Sequence, residues 1–391
     1  MSPLPWNDEL NAALTERKAA GRYRHNRLRL GEQGVNIVLD GQAVLSFCSN
    51  DYLGLAAHPE LKKAFQQAVD KEGVGSGAAH LLTGHSFYHQ ALEEALAEFT
   101  GQQRVLLFST GYMANLGVID GLLRRGDAVI QDKWNHASLL DGGRLTDAEQ
   151  YRYPHADMGL LHKRLHHAST AKHKLIVSDG VFSMDGDLAP LPDIMALAEQ
   201  HHAGVLIDDA HGFGVIGEAG RGTVSHFGIA ADKAPIVVGT LGKALGTGGA
   251  FVAADEVVIE TLVQQARSYV YTTAQPPAVA AATLVSLKLL QQESWRREQL
   301  QALIQQFRQG AAQLGLDLMS SETPIQPVII GDDKRALAIG KQLELQGLLV
   351  GVIRPPTVPK GTARLRITFS AGHRPQDVDK LLLALEQACA H

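Results

Sequence analysis

Between residues 100 and 255, short and wholly apolar runs alternate with segments of helical rhythm, and few folds accommodate that pattern. The runs are Val105–Phe108, Ala128–Ile130, Leu175–Val177, Val205–Ile207 and Ile236–Val238, with Leu191–His202 as an intervening helical segment. A strand with one face in water alternates apolar and polar residues, whereas a strand that is apolar throughout must be covered on both faces. Helices placed between such strands provide the covers, so the pattern predicts a mostly parallel α/β sheet flanked by helices. Ligands in these sheets bind beyond the carboxyl ends of the strands. Those ends are where chemistry should be sought.

The flanks read differently. Residues 8–23 alternate apolar and charged positions in a helical rhythm and run into Arg22, Arg24, Arg27 and Arg29, a basic cluster that a solvated helix end accounts for equally well. Ile37–Leu39 and Val44–Phe47, joined by Asp40-Gly41, predict a hairpin at the entrance to the main domain. After Pro276-Pro277 a helical stretch extends from Ala278 to Leu314. Strands near Ile325–Ile330, Leu348–Ile353 and Arg364–Thr368 and a closing helix over Pro375–Ala390 follow. A chain of 391 residues exceeds one core. The expected division is an N-terminal helix and hairpin (1–48), a large α/β domain (49–280) and a small α+β domain (281–391).

Composition narrows the function classes. A net charge of −5 creates no field that would recruit nucleic acid or an anionic membrane. Cys48 and Cys389, the 2 cysteines, cannot build a disulfide framework or a CxxC metal site and fit a reducing compartment. The first ten residues lack the cationic start and apolar core of a signal peptide. No run approaches the ~20 apolar residues of a membrane span; Ala278–Leu290 is short and contains Lys288. A cytoplasmic protein is expected, with neither nucleic acid nor membrane as partner. Among the 17 histidines, His85/His89 and His162/His166 have i,i+4 spacing, but no HExxH or cysteine cluster accompanies them. They read as surface or core histidines, and no metal is expected.

Three strand ends carry polar groups. Val205–Ile207 runs into Asp208-Asp209-Ala210-His211, which suits a metal site, a triad fragment or a partner for a heteroaromatic ring, or else helix capping by Asp209 beside a structural histidine. Ile236–Val238 runs into Gly239-Thr240-Leu241-Gly242-Lys243-Ala244. A lysine flanked by small residues beyond a buried strand has room for a planar adduct, and the glycine spacing and Ala244 exclude a Walker loop. Val105–Phe108 runs into Ser109-Thr110-Gly111-Tyr112, where a helix N-terminus offers N–H groups to a phosphate, or where Ser109 or Thr110 simply caps the helix. Gly212-Phe213-Gly214-Val215-Ile216-Gly217 matches GxGxxG. It follows Asp208 and His211 and not the strand itself, and no acidic residue ends the next strand, so a dinucleotide site is excluded.

In order and spacing, these elements resemble the α-oxoamine synthase family of fold-type-I pyridoxal 5′-phosphate (PLP) enzymes. The resemblance is carried by Ser49-Asn50-Asp51-Tyr52-Leu53-Gly54-Leu55, His89-Gln90-Ala91-Leu92-Glu93, Asn135-His136-Ala137-Ser138, Gly180-Val181-Phe182-Ser183-Met184-Asp185-Gly186-Asp187, Asp208-Asp209-Ala210-His211-Gly212 and Thr240-Leu241-Gly242-Lys243. Ile353-Arg354-Pro355-Pro356-Thr357-Val358-Pro359, followed by Arg364-Leu365-Arg366, is similar to members that join L-alanine to a pimeloyl thioester, carried on coenzyme A or an acyl-carrier protein, in biotin biosynthesis. At Ala78-Ala79-His80 the chain departs from many relatives, which have Arg or Ser in that stretch; the family contributes this loop across a dimer interface.

The resemblance implies PLP held as a Schiff base on Lys243, which then serves as general base. It implies Asp208 at the pyridine nitrogen, His136 stacked on the ring, His211 at the phenolic oxygen, Ser183 as a further contact, and Thr240 with the N–H groups of Gly111 and Tyr112 at the phosphate. Arg366 is expected to clamp the alanine carboxylate. Arg24, Asn50, Thr357 and His136 are expected to handle the acyl substrate. Arg354 would meet its distal carboxylate or structure the Pro-Pro turn. A homodimer with shared active sites is implied. Two other classes stay open: a glycine-using acyl-CoA condensing enzyme of the same family, and a non-catalytic PLP-binding protein, which would have no use for Arg366 or the Arg354–Pro359 stretch.

Overall fold

The computed structural model describes residues 4–230 and 233–389. In chain order its strands are β1 Arg29–Leu30, β2 Asn36–Leu39, β3 Gln42–Phe47, β4 Arg104–Phe108, β5 Ala128–Asp132, β6 Glu149–Tyr153, β7 Lys174–Asp179, β8 Gly204–Asp208, β9 Ile236–Thr240, β10 Ala250–Ala254, β11 Ile325–Gly331, β12 Leu348–Ile353 and β13 Ala363–Thr368. A seven-stranded sheet has the order β4-β10-β9-β8-β7-β5-β6, and a six-stranded sheet the order β1-β2-β3-β12-β13-β11.

The large sheet is parallel from β9 to β6. Successive residues of its strands enter opposite cores: Leu106 and Phe108, Leu175 and Val177, and Leu206 pack on one face, while Val105 and Leu107, Ile176, and Val205 and Ile207 pack on the other. Both faces are dry, which is why these strands are apolar throughout. The exception is β10, antiparallel to both β4 and β9. Its sequence, Ala250-Phe251-Val252-Ala253-Ala254, is poor in the β-branched residues that mark strands and was not anticipated. Because β10 reverses between them, β4 and β9 point the same way, and Ala250 faces both Phe108 and Thr240. The segments after β4, β7, β8 and β9 therefore emerge on one side of the sheet.

Two sequence expectations are revised. The hairpin β2–β3 does not stand at the entrance to the large sheet: β3 pairs in parallel with β12, so the N-terminal strands complete the second sheet. The stretch from Ala278 to Leu314 is two helices, Pro277–Gln292 and Trp295–Gln313. Buried Arg296 fixes the break, donating from Nε to Glu293 Oε2 at 2.6 Å and from a terminal nitrogen to the Leu53 carbonyl at 2.9 Å. The first helix is Asn7–Ala19 and the last Pro375–Cys389, with Ala390 outside the described residues. Among the described residues no helix is long and apolar enough to cross a membrane.

The segment after β9 is held by a backbone contact. Gly246 has φ +65°, its N–H donates to the Lys243 carbonyl at 2.9 Å, and a Cβ there would lie 2.4 Å from Ala56 N. Neither chain can yield cheaply. Gly246→Ala is expected to destabilise the protein by about 2–4 kcal/mol, read from the shift of a urea unfolding midpoint. Gly31, with φ +78° and nothing within 4 Å, is the control; Gly31→Ala is expected to cost about 1 kcal/mol.

Candidate active site

Lys243 lies three residues beyond the end of β9, half-buried, and among the described residues its ammonium has no hydrogen-bond or ion-pair partner. Burial pushes its pKa down to about 8, against the opposing pull of Asp208 and Asp179. An amine poised near neutrality is a usable nucleophile and base.

The carboxylates that face it come from adjacent strand ends. Asp179 and Asp208 are register partners on β7 and β8. Both are buried, and burial, then the neighbouring Asp208 charge, raises the Asp179 pKa well above the usual carboxylate range. Burial beside a second carboxylate thus disfavours the charged form of Asp179. Asp208 Oδ1 accepts from the Ala210 N–H at 3.0 Å, and Oδ2 accepts from Asn115 Nδ2 at 2.6 Å. Asn115 also donates to Ser138 Oγ at 2.8 Å. The His136 backbone N–H donates to Asp179 Oδ2 at 2.8 Å, which seats the imidazole at the start of the helix Ala137–Leu145. Its Nδ1 meets Ser138 Oγ at 2.7 Å, and burial lowers its pKa.

His211 is held neutral. Burial first, then Lys243, Arg366 and His136, push its pKa far below the imidazole range. Tyr52 OH is 2.5 Å from His211 Nδ1, and burial raises the Tyr52 pKa to about 12. The phenol is therefore protonated and shares one hydrogen bond with His211 Nδ1. Asn50 Oδ1 sits 3.3 Å from the same phenol oxygen.

Arg366 on β13 is 8% exposed and forms no ion pair among the described residues. Its Nε donates to the Ser183 carbonyl at 2.6 Å and a terminal nitrogen to Thr368 Oγ1 at 3.2 Å. Ser183 thus acts here through its backbone. A buried guanidinium with hydrogen bonds but no counter-ion is a costly arrangement unless an anion arrives.

Two cavities meet at Pro356 and Thr357. One, about 600 Å³, is lined by Trp134, His136, Phe182, Ser183 and Val358; the other, about 780 Å³, by Arg17, Arg22, Arg24 and Arg354. Thr357 borders both. Arg354 donates to the Gly21 carbonyl at 2.9 Å, tying the N-terminal segment to the Pro-Pro turn while still facing the cavity. At the opposite end, Thr110 caps the helix Gly111–Leu122 by accepting from the Met113 N–H at 3.1 Å. The N–H groups of Gly111 and Tyr112 find no acceptor among the described residues. Thr240 Oγ1 donates to the Gly249 carbonyl at 3.2 Å.

The structure therefore gathers Lys243, Asp208, His136 and His211, with Arg366 close by, and places Arg24, Arg354 and Thr357 in the adjoining trough. Sequence reading passed over Asp179, Asn115, Ser138 and Tyr52. Asp179 was within reach of the strand-end rule, but the apolar run ended at Val177 while the strand continues two residues further. Asn115 and Ser138 act on a partner distant in sequence, and no local pattern announces that. The i,i+4 pair His85/His89 is joined by His80, its ring 5.1 and 5.0 Å away.

The family model described as Aminotransferase class I and II matches residues 42–385. An 8-amino-7-oxononanoate synthase of Nitrosococcus oceani is 59% identical over 374 residues, covering 96% of this chain and 99% of that protein. Among solved structures, a high-resolution structure of SPT with PLP superposes with a TM-score of 0.93 at 32% identity, covering 100% of this chain and 99% of that one. Serine palmitoyltransferase of Sphingomonas wittichii does so with a TM-score of 0.93 at 34% identity, covering 100% and 98%.

In the cofactor-free protein, acylation of Lys243 by a small amine-reactive anhydride, followed by peptide mass spectrometry, should have its pH midpoint at about 8, below the ordinary 10.5. Asp208→Asn removes a charge that raises this pKa, so its midpoint should fall further. A midpoint at the ordinary value would show that burial does not govern this amine.

Proposed function

This chain belongs to the aminotransferase class I and II family and, inside it, to the group of 8-amino-7-oxononanoate synthases, and from that premise we propose that it condenses L-alanine with a pimeloyl thioester to give 8-amino-7-oxononanoate, CO2 and a free thiol. The observation that carries the substrate side is Arg366, a buried guanidinium without a counter-ion beside Lys243 and His211. An α-carboxylate is the complementary planar anion, which a guanidinium holds bidentately.

The residues present fit PLP. Lys243 is an unpartnered amine for the aldehyde. Asp208 is an anionic carboxylate at the floor of the site, suited to a protonated pyridine nitrogen, and Asn115 fixes its orientation. His211 suits the phenolic oxygen, and the half-buried His136 ring suits the face of the cofactor. The unpartnered N–H groups of Gly111 and Tyr112, with the Thr240 hydroxyl, suit the phosphate. Ser183 adds a contact through the segment that also holds Arg366. When bound, PLP supplies the electron sink that delocalises charge developing on the alanine Cα.

The chain's own residues do the rest. Arg366 holds the alanine carboxylate and with it the direction of the Cα–H bond. Lys243, whose pKa burial brings down to about 8, takes that proton in its neutral form. Asp208 stabilises positive charge at the base of the site, and this matters most where negative charge develops above it. The His136 imidazole accepts at Nδ1 from Ser138 and so keeps a proton on Nε2, placed to donate to the thioester carbonyl oxygen. A C–C bond forms, the C–S bond breaks and the sulfur leaves as a thiolate that takes a proton from solvent; the bond to the carboxylate then breaks, releasing CO2, and Lys243 returns its proton to Cα. The trough bordered by Thr357 suits the acyl chain, and Asn50, beside Tyr52, suits a contact with its reacting end. Arg24 and Arg354 suit its distal carboxylate or the anionic groups of the carrier, coenzyme A or an acyl-carrier protein.

A homodimer with shared sites is supported by large apolar side chains exposed along one stretch, Val74, Leu82 and Phe87, together with Tyr271, at 79, 78, 74 and 74%. A cytoplasmic location follows from the pathway and from the two free cysteines.

Thiol release with L-alanine and pimeloyl-CoA should exceed that with glycine or serine. The serine arm matters because the structural neighbours include serine palmitoyltransferases. Arg366→Ala should reduce kcat/KM for the amino acid about 100-fold or more, with Arg366→Lys in between, since lysine keeps the charge and loses the fork. Faster turnover of glycine or serine would move the chain to another donor, and an unaffected Arg366→Ala would remove the guanidinium from carboxylate binding.

A further inference from the structure

Outside the active site, three histidines converge on one point. His80 and His85 bracket the single wide turn His80–Gly84, and His89 lies in the first turn of the helix Phe87–Thr100. One ring nitrogen from each lies within 4.8 Å of the others, and His80 Nδ1 and His85 Nδ1 are 2.9 Å apart. We propose that His80, His85 and His89 form a binding site for one divalent transition metal ion of the zinc class, with their Nδ1 atoms as ligands.

The hydrogen bonds of the rings set the tautomers. His89 Nε2 lies 2.9 Å from the Gln275 carbonyl, which can only accept, so the proton sits on Nε2 and Nδ1 presents a lone pair. Metal-binding histidines are commonly oriented in this way by an outer carbonyl. His85 Nε2 lies 3.3 Å from Gln90 Oε1 and 3.9 Å from Glu93 Oε2, so it too keeps its proton on Nε2 and a lone pair on Nδ1. His80 then donates from Nδ1 to His85, and it alone must change tautomer when a cation replaces that shared proton. Its ring is stacked on Tyr269, 5.1 Å between centroids and 13° between planes, which fixes the direction of its nitrogens.

The backbone holds the turn closed. A Cβ at Gly84 would lie 2.1 Å from the Ala78 carbonyl oxygen, so the turn is wound tightly on itself, and the Ala274 N–H donates to that same carbonyl at 3.0 Å. In a tetrahedral site with nitrogens about 2.0–2.1 Å from zinc, the ligands stand roughly 3.3 Å apart. The His80–His85 pair must open by a few tenths of an ångström and His89 must approach, releasing the Ser86 N–H that it accepts at 3.0 Å. His80 is 8% exposed and His89 fully buried, while the His85 side chain is 25% exposed. Within one chain the fourth coordination position is therefore on the His85 side. Three neutral imidazoles suit zinc, cobalt or nickel over magnesium or calcium, which prefer oxygen.

The test uses the holoenzyme, stripped with a chelator and titrated with cobalt(II) and then zinc(II). The expected result is one cobalt per chain with a visible band of tetrahedral intensity, displaced by one equivalent of zinc, and a melting temperature raised by zinc. His85→Ala, at the most exposed of the three, should weaken binding at least about tenfold. His80→Phe, which retains a ring against Tyr269, should do the same without unfolding the turn. A His162→Ala/His166→Ala double variant, which removes the exposed pair elsewhere, should bind as the parent does. No cobalt band, binding unchanged in both His85→Ala and His80→Phe, or binding lost in the double variant would each overturn the proposal.

Discussion

The site depends on two carboxylates placed side by side at the ends of adjacent parallel strands. Register pairs Asp179 with Asp208, and burial beside that neighbour raises the Asp179 pKa well above the usual carboxylate range. Asp179 positions His136 by accepting its backbone N–H, while Asp208 is oriented by Asn115. A one-residue slip of β8 against β7 would send one of the two side chains to the opposite face of the sheet. The continuous apolar pattern that specifies the sheet therefore also specifies that the two carboxylates stand side by side.

Around that anion the positive groups are left without partners of their own. Lys243 has none, Arg366 has only neutral acceptors, and His211 is kept neutral by burial first and then by the two of them. Two cationic side chains without counter-ions of their own are complementary to something that brings negative charge. A phosphate, a phenolate and a carboxylate would each compensate part of their charge. This imbalance says more about what the site receives than the shape of either cavity does.

What could be read from the sequence divides along the same physical line. The parallel sheet was legible because burial on both faces leaves continuous apolar runs, and Asp208, His211, Lys243 and Gly111 because each stands directly beyond such a run. The antiparallel β10 was not, since alanine-rich strands carry little signature. Nor was the pairing of β3 with β12, which joins segments about 300 residues apart through backbone hydrogen bonds that leave no mark on residue choice. Asn115 and Ser138 escaped for a related reason: their partners are set by tertiary contact. His80 escaped because it lies five residues before His85, a spacing that matches no helical face, and only the wide turn brings it to the other two.

The two sheets divide the labour. Lys243, Asp208 and His211 come from the large sheet, whereas Arg366 lies on β13 and Arg354 and Thr357 on the loop joining β12 to β13. The junction is gripped from both sides: Arg366 bonds the Ser183 carbonyl, Arg364 pairs with Asp185 in a buried salt bridge, and the Ser321 and Thr323 hydroxyls both donate to the Gly186 carbonyl. Four contacts on residues 183–186 fix where the β12–β13 hairpin sits relative to Lys243. The loop joining β12 to β13 makes none of these four contacts, so it can change while Arg366 and Lys243 keep their places. That separation fits a chain that superposes along its whole length on serine palmitoyltransferases while being 59% identical to an 8-amino-7-oxononanoate synthase.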